Sequence, residues 1–203
     1  MSEFDAKAKT WDEDPTRVER ARVVAEALRA RIPLTEEMRV LEYGCGTGLL
    51  GLELLPSVGH MTLADTSEGM LDVLREKLRL LPEANAEALR LDLITDPLPD
   101  ERYDLIVTLL TLHHIDDTEG ILRKFRALCS DSGMLCVIDL DREDGSFHGG
   151  GFHGHLGFDR SKFAETAERA GFHKSAFETV CELQREVDGK MRAFPLFLLT
   201  ATA

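Results

Sequence analysis

The sequence predicts an α/β protein: a doubly wound, seven-stranded sheet, parallel except for one antiparallel strand in a C-terminal hairpin, with helices on both faces and an N-terminal helical extension. Three observations predict it. From residue 37 onward, short apolar runs alternate with helical stretches, the rhythm of parallel strands joined by crossover helices. A glycine-rich turn, "YGCGTG", joins the first of those runs to the first of those helices, at a place where glycine supplies positive φ without steric cost. Near the end, two strand-like runs are separated by Asp188-Gly189, a dipeptide that favours a two-residue hairpin.

Each element has its own signal. Pro15 opens a helix over 15–32, in which Val18, Ala21, Val24 or Ala25, and Leu28 recur at helical spacing. Strands are expected at "MRVLEYG" (38–44), "HMTLAD" (60–65), "AEALRLDL" (86–93), "YDLIVTLL" (103–110) and "GMLCVIDL" (133–140). Helices lie between them at "LLGLELL" (49–55), "SEGMLDVLREKLRLL" (67–81, with Ser67 as N-cap) and "TEGILRKFRALC" (118–129). A last helix, 159–171, ends at Gly171, and the hairpin strands are 173–187 and 190–203. The expected organisation is one domain, 1–203. It comprises a helical segment over 1–33 packed against the sheet or over its active edge, a ligand-binding core over 37–140, a loop over 141–158, and a C-terminal helix and hairpin over 159–203.

Composition narrows the class. The chain has 203 residues, 43% hydrophobic and 30% charged, as a folded globular protein has. A formal net charge of −13 disfavours nucleic acid and anionic bilayers as partners. The four cysteines form no CxxC pair and three sit in apolar surroundings, which argues for free thiols in a reducing compartment. The charged start "MSEFDAKAKTWDEDP" does not read as a signal peptide, and no stretch approaches the length of a membrane span. A cytoplasmic protein, monomeric or homodimeric, is the expectation.

The strongest chemical signal is "VLEYGCGTGLLG", residues 40–51. Gly46 to Gly51 fits GxGxxG, a dinucleotide pattern that places pyrophosphate on a helix N-terminus. Read one step earlier, Glu42-x-Gly44-x-Gly46-x-Gly48 is an acid followed by three alternating glycines. A carboxylate at the strand end repels pyrophosphate and suits a cationic ligand, so Glu42 decides for the second reading. That longer pattern resembles motif I of the class I S-adenosylmethionine-dependent methyltransferases.

The resemblance spans roughly residues 37–140 and implies a Rossmann-like fold and S-adenosylmethionine as co-substrate. Its donor pocket would use Glu42, Tyr43, Gly44, Cys45, Gly46 and Gly48 on the first strand and turn. It would use Asp65 on the ribose hydroxyls, with Thr66 and Met70 alongside, and Asp92 on the adenine amino group beside Leu93. Backbone at Leu109, Leu110 and Thr111, in "YDLIVTLLTLHHI", would line the rest. "LHHI" and "SDSGMLCVIDL" look most like small-molecule methyltransferases of the quinone-biosynthesis type; Asp131-Ser132-Gly133 stands where the family usually has Pro-Gly-Gly. The function expected is methyl transfer to a small-molecule acceptor. Its rivals are a nicotinamide-dependent oxidoreductase, for which no Tyr-x-x-x-Lys pair is found, and a binding module that holds the donor without turnover.

Methyl transfer from a sulfonium is an in-line displacement governed mainly by alignment and desolvation. An alcohol or phenol acceptor would also need a base. Candidates at the carboxyl edge of the sheet are His114, Asp139, His148 and His153, with His113, Asp141 and His155 nearby. His114 is expected to pack against the nucleoside, and His113 to point away into solvent. The stretch 141–158, "DREDGSFHGGGFHGHLGF", holds three histidines, but their spacing lacks the close ligand pairs of a zinc site. It reads instead as a metal-free lid whose phenylalanines, Phe147, Phe152 and Phe158, close over the acceptor. Trp11 lies outside the shared core and takes no role from the resemblance.

Overall fold

The computed structural model describes residues 3–203; Met1 and Ser2, part of the expected N-terminal segment, lie outside the described residues. Seven strands form one sheet: β1 (Arg39–Tyr43), β2 (His60–Asp65), β3 (Ala86–Arg90), β4 (Tyr103–Leu109), β5 (Cys129–Leu140), β6 (His173–Val187) and β7 (Lys190–Thr202). Their spatial order is β3-β2-β1-β4-β5-β7-β6. The first five are parallel, and β7 lies antiparallel between β5 and β6. Chain order reverses between β1 and β4, so a crevice opens at their carboxyl ends, where open α/β sheets bind ligands.

Six helices cover the sheet: α1 (Glu3–Lys7), α2 (Pro15–Arg31), α3 (Leu49–Leu54), α4 (Glu68–Arg79), α5 (Thr118–Leu128) and α6 (Arg160–Arg169). Their starts follow side-chain chemistry. Asp14 accepts from Thr16 N ahead of Pro15, Ser67 from Met70 N, Asp117 from Gly120 N and Asp159 from Lys162 N, each satisfying an amide the helix leaves open. Asp188 and Gly189 both have positive φ, 49° and 74°, as a hairpin turn twisted with its strands requires.

Strand alternation splits the core into two layers. Leu41, Tyr43, Ile106, Leu135 and Val137 pack with Phe125, Phe163 and Phe172 on one face. Val40, Leu63, Leu105, Val107 and Ile138 pack with Leu28, Leu50 and Leu71 on the other. In α2 the buried stripe is Ala21, Val24, Ala25 and Leu28. Val18, expected on that stripe, is 42% exposed.

Two boundaries differ from the sequence reading by more than two residues. β3 ends at Arg90 rather than Leu93, since the chain turns into Asp92, whose carboxylate accepts from Ile94 N and Thr95 Oγ1. β5 begins at Cys129, directly where α5 ends, so Asp131-Ser132-Gly133 lies within the strand segment rather than before it.

Candidate functional site

The turn after β1 carries the site. Gly44, Gly46 and Gly48 have φ of 76°, 55° and 79°, left-handed values that favour glycine. Their amides are fixed from behind: Gly44 N and Cys45 N donate to Ala64 O, and Gly48 N donates to Cys45 O. A Cβ at Gly44 would overlap the Thr111 side chain, so β1 and the turn after β4 can cross closely only with glycine there. At Gly46 the nearest neighbour to such a Cβ is Trp11 Nε1, at 4.0 Å, and the space above the turn is otherwise free.

Two acids from the expected set meet this turn. Asp65, ending β2, accepts from Gly46 N (2.7 Å) and Ser67 N (2.8 Å); burial pushes its carboxyl above the usual range despite those bonds. Glu42 is 2% exposed beneath the first turn of α3, and its Oε2 has no hydrogen-bond partner. Burial, with Asp65 adding to it, raises its pKa to about 8. An orphaned, buried carboxyl oxygen under a glycine cradle, neutral until a nearby cation draws its proton away, is an acceptor that a cationic ligand can use. The residues present therefore fit S-adenosylmethionine, whose methionine part carries positive charge.

The remaining donor-side positions fall around them. Tyr43 is buried, its hydroxyl accepts from Leu93 N (3.2 Å), and its ring packs edge-on to Phe125. Met70 and Cys45 are buried, and Thr66 is exposed beside them. Leu110 has φ of 52° and donates its N–H to Ile138 O, which turns the chain after β4 toward the crevice. Asp92 stands at the edge of the crevice with both oxygens engaged in its local turn.

The N-terminal segment, expected against the sheet or over its active edge, covers that edge, through contacts that sequence reasoning did not foresee. Residues 3–13 cross the carboxyl edge and bond to both glycine-turn and α4 termini. Asp5 accepts from Ser67 Oγ (2.6 Å) and Gly69 N (3.1 Å). Asp12 accepts from Thr47 Oγ1 (2.5 Å) and pairs with Lys77 Nζ (2.5 Å), which also donates to Thr47 O. Trp11 lies over Gly46, with the Arg17 guanidinium 3.9 Å from its ring centre, and Phe4 reaches His114. The only sequence signal was the density of acids among residues 3–14, which no motif assigns.

On the acceptor side the two adjacent histidines exchange the places expected of them. His113 is buried, because a 3₁₀ turn over Leu112–His114 carries its ring inward onto Asp139. Its Nδ1 lies 2.7 Å from Asp139 Oδ1, and its N–H donates to Asp139 Oδ2. His114 is the exposed one, its ring set against Phe4 at 5.5 Å. His148 folds back from the long loop to stack on Phe152, ring centres 3.7 Å apart and 5° from parallel, and stands 5.0 Å from the His113 ring. Groups packed against its ring desolvate His114 although its outer edge stays exposed, and His113 adds to this; desolvation, then His113 and His114, acts likewise on His148, and the pKa of both is lowered to about 4. His153 is exposed and not brought into this group. His155 turns away to Thr118 Oγ1 and Ile115 O.

The loop over 141–158 is tied down rather than free-standing. Arg160 holds Asp141 through two bonds of 2.7 Å, and Arg192 pairs with Asp144. Arg185 donates to Phe147 O while lying over the Phe147 ring. Of this loop's glycines, only Gly149, Gly150 and Gly151 have open space around them. Phe147 and Phe158 are buried in the two core layers, so these rings anchor the loop; Phe147 also meets His148 edge-on at 4.7 Å, while Phe152 stacks on it.

Residues 41–135 match a family model described as a methyltransferase domain. A protein of Schizosaccharomyces pombe described as an uncharacterized methyltransferase is 31% identical over 168 residues, 77% of this chain and 57% of that protein. The ubiquinone/menaquinone biosynthesis C-methyltransferase UbiE of Shewanella sediminis is 32% identical over 116 residues, 52% of this chain and 43% of that protein. The chain thus spans about half the length of the curated relatives it matches. A SAM-dependent methyltransferase of Aquifex aeolicus shares the fold at a TM-score of 0.69 and 24% identity, covering 96% of this chain and 97% of that one. Over residues 41–135 the chain is thus similar to methyltransferase domains, and its fold is one that methyltransferases share.

Proposed function

We propose that this chain transfers a methyl group from S-adenosylmethionine to a small-molecule acceptor. The observation that carries the reading is the pairing of the left-handed glycine turn with the unpartnered oxygen of buried Glu42. Glu42 would answer the positive charge of the methionine part, Asp65 would leave Gly46 N for the ribose hydroxyls, and Asp92 with Leu93 would meet the adenine. Tyr43, Cys45, Thr66 and Met70, with backbone at Leu109 to Thr111, would complete the pocket. The bound co-substrate supplies an electrophilic methyl on a sulfonium; the chain supplies alignment and a dry crevice.

On the acceptor side the reading uses His114, Asp139 and His148. Asp139 fixes the ring of His113, and Phe152 and Phe4 pack edge-on against His114. The apolar rings favour a small acceptor that is itself partly aromatic, consistent with what the UbiE relatives' name says of them. His153 takes no part in this arrangement.

Calorimetry tests the reading. S-adenosylmethionine and its demethylated product should bind with 1:1 stoichiometry, and Gly46→Val, which fills the space above the turn, should weaken both at least tenfold. NAD binding without a response to the methyl donor would overturn it. Donor binding with no transfer to thiols, phenols or quinone precursors would leave a binding module in its place.

A further inference from the structure

The geometry points to a metal site in this protein: His113, His114 and His148 form an open, three-histidine site for a divalent cation of the zinc class. One potential ligand nitrogen from each ring lies within 4.8 Å of the other two. Tetrahedral zinc with Zn–N bonds of about 2.0–2.1 Å needs nitrogens about 3.3 Å apart, so closure by a side-chain rotation of one or two rings is sufficient.

Four features separate this group from a chance packing of imidazoles. Asp139 takes the Nδ1 side of His113, at 2.7 Å. If that nitrogen carries the proton, Nε2 is left with its lone pair, the carboxylate–histidine support by which proteins orient metal ligands. Asp139 itself is 0% exposed, and among the described residues its one ionic partner is that imidazole. Its oxygens also accept from Leu140 N and His113 N, so the carboxylate is held in place to orient the imidazole. His148 Nδ1 is buried with no hydrogen-bond partner, an unexplained polar atom that ligation would satisfy. His114 is exposed, which gives an ion a path from solvent.

The ligands also come from suitably different places. His113 and His114 are held by the 3₁₀ turn after β4, while His148 arrives on the tied-down loop, stacked on Phe152. The rigid pair would bind first and the loop would close the set. Adjacent histidines on one strand-end turn plus a third from 34 residues along the chain are invisible to spacing rules, which look for ligand pairs within a helix or knuckle. Three protein ligands leave the fourth tetrahedral position open, the arrangement of sites that meet water or substrate rather than of closed structural sites. Imidazole donors without thiolate select the borderline ions, zinc foremost by availability.

The test uses the full chain, stripped with a chelator and titrated with zinc chloride and, separately, cobalt chloride. One equivalent should bind, and the cobalt form should show the visible d–d absorption of a low-coordinate ion. His114→Ala and His148→Ala, both outside the packed core layers, should each weaken binding at least tenfold. Asp139→Asn should weaken it about 10–100-fold, the usual effect of losing a ligand's orienting partner. His153→Ala should bind zinc as the parent does. Circular dichroism confirms that each variant is folded. Absence of stoichiometric uptake, or uptake unchanged in His114→Ala and His148→Ala, overturns the site. S-adenosylmethionine titrated into the stripped protein reads the methyl-donor proposal separately, so donor binding without zinc binding overturns the metal site alone.

Discussion

Glu42 shows how one residue's placement sets both a binding property and a liability. Its side chain is buried, one oxygen has no partner, and its pKa stands near 8. Above pH 4.5, its ordinary value, the unfolded chain has given up this proton while the native state keeps it until about pH 8. The unfolded state therefore binds fewer protons across that window, and this group's contribution to stability falls as pH rises, by on the order of 1 kcal/mol per pH unit. Glu42→Gln keeps the shape and the neutral form. Chemical denaturation of both proteins from pH 5 to 8 should show the variant gaining on the parent steadily, and a pH-independent difference would mean that Glu42 is already ionised. A sequence can mark Glu42 as the acid of the glycine motif. It cannot say that the carboxylate is enclosed by Leu63 and Gly51, which requires the packing of α3.

At the scale of elements, the parallel strands, their order along the chain and the Asp188-Gly189 hairpin were legible because period-two apolar runs and turn chemistry are local signals. What could not be read were places where chemistry is supplied from afar. β3 stops early because Asp92 prefers its own turn, and His113 and His114 trade places because the 3₁₀ turn rotates the chain by a fraction that no periodicity encodes. The cover over residues 3–13 is the largest such case, since its bonds and ion pair join residues 35 to 65 positions apart. It yields a direct prediction. Trp11 is the one tryptophan and lies over Gly46, so donor binding at the turn should change its emission. Asp12→Ala removes the bond to Thr47 and the pair with Lys77, both partly exposed. It should cost at most about 1 kcal/mol of global stability, yet leave Trp11 more accessible to acrylamide quenching. Unchanged emission at saturating donor would show that the ligand does not reach the turn beneath Trp11.

At the scale of the whole molecule, 37 acids against 24 lysines and arginines leave a net charge of −13. Two electrostatic effects then oppose each other. Local pairs such as Arg160–Asp141, Arg22–Glu19 and Arg123–Glu119 hold the surface together at contact distance. The unpaired excess repels itself across the molecule and favours expansion. Salt acts unequally on the two. The screening length falls from about 30 Å at 0.01 M to about 8 Å at 0.15 M, which removes most of the long-range repulsion, whereas pairs closed at 3 Å lie well inside that length. Exposed pairs are also worth little to begin with, about 0–1 kcal/mol each. Repulsion therefore loses more than the pairs do, and moderate salt should stabilise the fold. Thermal unfolding at pH 7.5 should move up by about 2–4 °C between 10 and 200 mM sodium chloride, as roughly 1 kcal/mol does in a chain of this size. Potassium chloride should do the same, because screening depends on ionic strength and not on the ion. A midpoint that falls with salt would mean that the paired acids, and not the excess, dominate the surface.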